Sequence, residues 1–165
     1  MSAATLISPE EYLATKYEWE PEYVHGELVE RPMPTYVHSA IGYRIEGKFE
    51  TAGLAHGHDV RCKLEPGVFR LPDVAAWTKR PTTTPVEEVP LVVVEILSPD
   101  DRYADLLDKL REYQNWGVPH IWVVDPMHKL LQVFRGRSLT EADALSIPEH
   151  NLSLTAAEIF PEPQG

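Results

Sequence analysis

Apolar residues recur at near-helical spacing at Val37, Ile41, Ile45 and Phe49, with Leu54 just beyond. This rhythm predicts a helix from about Thr35 to Ala52 that stops at Gly53. Two later segments are almost unbroken in their apolar character: Leu91–Leu97, whose one polar member is Glu95, and Ile121–Asp125. Both are short and β-branched, the first bounded by Pro90 and Ser98-Pro99 and the second by Pro126, so both read as central strands covered on two faces. Between them, Ser98-Pro99-Asp100-Asp101 combines a hydroxyl cap, a proline and first-turn acids. That combination predicts a helix from this point to about Trp116, ending at Gly117. Its apolar stripe is Tyr103, Leu106, Leu107, Leu110 and Tyr113, with Asp101, Asp105, Asp108 and Glu112 on the other side.

The rest of the chain supplies shorter elements. Ser8-Pro9 opens a helix to about Lys16, and Tyr23–Glu30 reads as two short strands turning at Gly26. Residues 59–65 and 68–71 form a hairpin about Pro66-Gly67 that runs into a strand at Asp73–Trp77. Residues 79–90, rich in Pro and Thr, form a loop. Further strands are expected at Leu130–Phe134 and Ala144–Ile147, and a final helical turn near Ala156–Phe160. Trp77 and Trp122, in apolar strands, are core residues. Helices and strands in this order predict one α/β domain over residues 1–165, a mixed β-sheet flanked by helices on both faces.

Composition narrows the classes. With 165 residues and 43% hydrophobic content the chain can build one sizeable core. No N-terminal run is apolar enough for a signal peptide, and no segment approaches the roughly 20 apolar residues of a membrane helix. The single cysteine, Cys62, excludes an internal disulfide and a thiolate zinc cluster. A cytoplasmic protein is expected. The formal charge is -11, with 15 Lys and Arg against 26 Asp and Glu. No basic face of the kind that grips nucleic acid is therefore expected, and any such partner must be met by a few local cations or a divalent metal.

Glu95 is the anomaly in this pattern. Alternation puts Leu91, Val93, Glu95 and Leu97 on one strand face and Val92, Val94 and Ile96 on the other. A carboxylate on an apolar face is almost never buried unless paired. Asp73 heads the strand ending at Trp77, and if the two strands are neighbours Asp73 and Glu95 converge. Two close carboxylates repel unless a cation lies between them, and hard oxygen donors suit Mg²⁺ or Mn²⁺. Lys109 falls at the border of the helix stripe and can reach inward, or pair with Asp105 at helical spacing.

The residues Pro72-Asp73, Val94-Glu95-Ile96-Leu97-Ser98-Pro99, Lys109 with Tyr113, Gly117-Val118 and Ile121-Trp122-Val123-Val124-Asp125-Pro126 together resemble the Uma-type restriction endonuclease family, a former domain of unknown function within the PD-(D/E)XK nuclease superfamily. Gly26-Glu27-Leu28 and His38 match its N-terminal pattern, so the resemblance covers nearly the whole chain. It implies a restriction-endonuclease-like core in which Asp73 and Glu95 hold a divalent metal and Lys109 serves the attacking water. The Ile96 backbone carbonyl would be a third ligand. The superfamily's lysine two residues after the glutamate is replaced by Leu97, and the resemblance assigns its role to Lys109. His25 stands where relatives often carry Asp. Desolvation is expected to lower the Lys109 pKa and so suit it to helping deprotonate water.

His38, Glu27 and Tyr113 are accessory candidates, although a lone helical His is more often a satisfied structural residue. For Glu27 and Glu22 a solvated strand edge is the commoner reading. Arg44, Lys48, Lys63 and Arg102 are candidate phosphate contacts, with solvated charge as the default. Three functions stay open: a Mg²⁺- or Mn²⁺-dependent endonuclease on DNA or RNA, a catalytically silent dimeric interaction or nucleic-acid-binding module, and a hydrolase for a small phosphorylated substrate. A homodimer is expected on general grounds.

Overall fold

A computed structural model describes residues 5–162 of the chain. The uninterrupted apolar segments lie at the centre of a six-stranded sheet. Strand β7 (Val92–Ile96) pairs in parallel with β8 (His120–Asp125), and helix α3 (Tyr103–Trp116) makes the crossover between them. Strands β6 (Val74–Trp77) and β3 (Ala55–Gly57) continue the sheet antiparallel on one side, and β9 (Leu130–Arg135) and β10 (Ser138–Ala142) on the other.

Period-two alternation sorts the sheet residues into two cores. Val74, Ala76, Val92, Val94, Ile96, Trp122 and Val124 face helix α2 (Tyr36–Thr51) through Ile41, Ile45 and Phe49. That layer is completed by the hairpin of β11 (Ala144–Ile147) and β12 (Leu152–Thr155) and by the short helix α4 (Ala156–Ile159). On the opposite face Ala75, Trp77, Val93, Ile121 and Val123 meet Leu106, Leu110 and Tyr113 of α3. A four-stranded sheet shares this second face, ordered β2 (Glu27–Val29), β1 (Glu22–Val24), β5 (Val68–Arg70), β4 (Cys62–Glu65). Helix α1 (Pro9–Ala14) covers the small sheet through Tyr12 against Tyr23 and Phe69. Helices therefore lie on both faces of a mixed sheet, as the sequence pattern predicts.

Several local expectations are corrected. Helix α3 begins at Tyr103, not Ser98. Residues Ser98–Asp101 close a separate turn in which the Asp101 carboxylate accepts the Ser98 N–H at 2.7 Å and the Asp101 N–H donates to the Ser98 carbonyl at 3.1 Å. The helix start expected at Ser98 is thereby corrected: its cap residues close this loop instead, and Tyr103 points outward rather than joining the stripe. Val37 is likewise exposed at the open end of α2. Strands β3, β10 and β12 went unanticipated. The β1–β2 turn places His25 at φ 47° and Gly26 at φ 94°, the left-handed pair of a two-residue hairpin, which tolerates His. Gly117 ends α3 at φ 107°, as expected of a left-handed helix stop.

Candidate active site

The register of the sheet decides where the two predicted carboxylates meet. Val74 faces Val94 across β6 and β7, so Asp73, one step outward, lies opposite Glu95 on the α3 face. The Asp73 carboxylate accepts the Ile96 N–H at 2.7 Å and lies 3.4 Å from His38 Nε2. Arg31 reaches it at 3.7 Å while pairing more closely with Asp59 and lying over the Trp19 ring at 5.6 Å.

Glu95 is only 6% exposed. Tyr113 donates its hydroxyl to Glu95 at 2.7 Å, and Lys109 Nζ approaches both of its oxygens at 3.3 Å. Lys109 is held from its other side by Glu22, 2.9 Å away and only 2% exposed. Glu22 also accepts from Arg70 Nη1 at 3.0 Å and from the Leu71 N–H at 2.9 Å, and Arg70 forks onto Glu112 at 2.6 and 3.0 Å. A continuous chain of alternating acidic and basic side chains thus runs Glu112–Arg70–Glu22–Lys109–Glu95.

Burial and neighbours drive the two central carboxyls apart. Burial acts to raise Asp73, but the His38 hydrogen bond, the Lys109 charge and the Ile96 N–H overcome it and hold Asp73 below the ordinary range. Burial dominates at Glu95: Lys109 pulls it down, Asp73 and Glu22 push it up, and the carboxyl is pushed up to about 8. His38 is raised, chiefly by its bond to Asp73. Lys109 departs from expectation. Burial alone would lower it, yet Glu22, Glu95 and Asp73 together raise it above its ordinary value. It stays an ammonium ion and is no base, because three carboxylates outweigh its desolvation.

A carboxyl raised in this way takes either a proton or a cation, and the donors Asp73, Glu95 and the backbone at Ile96 are hard oxygens. Among the described residues no three His, Cys, Asp or Glu side chains converge as in a closed metal cage. Two carboxylates and a backbone oxygen are the kind of donors that an ion such as Mg²⁺, which keeps several waters and binds one or two carboxylates plus phosphate, would take. The set does not fit a structural zinc site.

Of the sequence candidates, Asp73, Glu95, Ile96, Lys109, His38 and Tyr113 come together. Glu27 does not: it is exposed on β2, and Glu22 on the neighbouring strand occupies the place beside Lys109 instead. The expectation of a solvated Glu22 is thereby overturned. Arg44 donates to the Phe160 carbonyl at 2.9 Å, Lys48 pairs with Glu158 and Lys63 with Glu87 at 3.3 Å. None of these three borders the cleft, whereas Arg102 lines its mouth with its side chain 81% exposed. Arg31 and Arg70 escaped the sequence reading, and Glu112, placed there on the polar side of the helix, pairs with Arg70, since these partners are distant in the chain.

Residues 9–164 match the family model Uma2, described as "Putative restriction endonuclease". The chain belongs to the Uma2 family. Among solved structures, this Uma2 chain is similar to one described as "a putative nuclease belonging to DUF820" from Anabaena variabilis ATCC 29413. The two share 20% identity at a TM-score of 0.79, over 93% of this chain and 97% of that one. At this identity the likeness shows a shared fold. No curated protein matches this Uma2 sequence.

Proposed function

We propose that the protein is a metal-dependent phosphodiesterase that cuts DNA. The observation that carries this reading is the facing pair Asp73 and Glu95, one held ionised and the other raised, with the Lys109 ammonium 3.3 Å from Glu95. Membership of a family described as "Putative restriction endonuclease" supports the substrate class.

A divalent cation bound there would neutralise a non-bridging phosphate oxygen and lower the pKa of an attacking water. Asp73 and Glu95, with the Ile96 carbonyl, would hold it. His38 and Arg31 fix the orientation of Asp73, and Tyr113 fixes that of Glu95. Lys109 keeps its proton at Nζ, so its part is to orient the water and stabilise charge developing on the phosphate, not to remove a proton. Glu22 and Arg70 position that ammonium. In the hydrolysis these residues would serve, the water oxygen joins phosphorus as the bond to the sugar oxygen breaks, the water's proton passes to bulk solvent, and the leaving oxygen takes a proton from solvent in turn.

The test pairs metal binding with cleavage. Calorimetry should show Mn²⁺ or Mg²⁺ binding that is lost in Glu95→Ala, and a nicking assay should show metal-dependent DNA cleavage lost in Asp73→Ala and Glu95→Ala. Cleavage that survives both substitutions would overturn the assignment.

A further inference from the structure

Beside the carboxylate centre lies a second, apolar cavity of about 240 Å³. Pro32, Met33, Val37, Leu97, Pro99 and Met127 line it, and His38 borders both it and the small cavity that contains Asp73 and Glu95. Its lip is unusually bare: Met33 is 71%, Met127 48% and Val37 40% exposed. Among the described residues no element covers these side chains.

We propose that this pocket receives the nucleobase of the nucleotide whose phosphate sits at the carboxylate centre, as an unpaired or extruded base and not as part of a base pair. The inference rests on the nuclease reading above and specifies its substrate. A nucleotide held by its phosphate carries its base one sugar away, which makes the cavity sharing the His38 wall the adjoining apolar volume. The cavity lies below the 300–1,000 Å³ of pockets for larger ligands and suits a single ring system.

Electrostatics points the same way. The chain carries a formal charge of -11, and Arg44, Lys48 and Lys63 are engaged away from the cleft. Counterion release along a duplex therefore contributes little affinity. Apolar contact with a base, which is tolerant of sequence, is the remaining source. Enzymes that bury a base read it between apolar side chains in this way. Unbranched Met33 and Met127 adapt to rings of different size, so the pocket should accept purines and pyrimidines alike.

The methionines are themselves the probe. The full chain, labelled with ¹³C at its methionine methyls, would be titrated by NMR in the presence of Mg²⁺ with deoxyadenosine 5′-monophosphate and, separately, with base-free 2-deoxyribose 5-phosphate. Met33→Leu and Met127→Leu assign the signals. The expected result is ring-current shifts of both methyls with the nucleotide and none with the sugar phosphate, abolished in Val37→Trp, which fills the cavity from an exposed position. Equal shifts with both ligands, or none with either at millimolar concentration, would overturn the proposal. Methyl shifts that follow protein concentration alone would overturn it too, by assigning the face to a second copy of the chain. A parallel cleavage assay on single-stranded DNA separates the two readings. Base-dependent shifts without cleavage sink the nuclease and leave the base site, whereas cleavage without shifts does the reverse.

Discussion

Removing Glu22 should cost more stability than any exposed carboxylate in the protein. Its side chain is 3% exposed and accepts from Lys109 at 2.9 Å, Arg70 at 3.0 Å and the Leu71 N–H at 2.9 Å. In Glu22→Ala the Lys109 ammonium keeps only Glu95, Arg70 keeps only Glu112, and a buried N–H loses its acceptor. Breaking a buried charge pair from one side costs about 3–5 kcal/mol, because the partner is left uncompensated. Glu22→Gln keeps the volume and an acceptor for Leu71 and should lose less. Urea unfolding followed by tryptophan fluorescence reads this directly. With a slope of about 2–3 kcal/mol/M, the midpoint of Glu22→Ala should fall by about 1–2.5 M, while Glu27→Ala, exposed on the next strand, should stay within about 0.5 kcal/mol of the parent. The acid limb adds a signed test. Burial raises the Glu22 carboxyl, but Lys109, Arg70 and the Leu71 N–H more than offset this and hold it below the ordinary glutamate range. Its contribution is therefore complete above about pH 4.5 and is lost as pH falls through the lower folded value, so Glu22→Gln should flatten the acid loss of stability. A midpoint shift below about 0.4 M in Glu22→Ala would refute the reasoning, by showing that water or rearranged neighbours solvate the two cations.

Three further outcomes are expected. Burial pushes the Cys62 thiol up to about 12, so the folded protein at pH 8 should not react with a thiol reagent until denaturant is added; prompt labelling would show that β4 opens. Because Glu95 is pushed up to about 8, a cation must displace its proton, and Mn²⁺ affinity by calorimetry should climb by up to about tenfold per unit from pH 6 and level off above 8; affinity constant over that range would mean Glu95 is not a ligand. Gly117→Ala places a Cβ at φ 107°, where a side chain costs roughly 1–2 kcal/mol, a loss to be read from the thermal midpoint, and an unchanged midpoint would show that the α3 stop relaxes freely.

Sequence by itself determined the elements whose signals are local. The apolar runs of β7 and β8, the two faces of β7, the α2 stripe at Ile41, Ile45 and Phe49 and the stops at Gly53 and Gly117 all follow from periodicity and backbone preference within a few residues. So did the anomaly of Glu95, since an acid inside such a run must find a partner. What satisfies it could only be decided in three dimensions. Glu22 sits on a strand of three residues, too short for alternation to say which way it points, and the small sheet and α3 must pack before it can meet Lys109. The same holds for Arg70 and Glu112, and for β3 and β10, whose pairing depends on edges presented by other strands. Even the protonation of Lys109 reversed between the two levels. Desolvation can be inferred from an apolar neighbourhood, but the field of three carboxylates arises only when distant segments are folded onto one ammonium group.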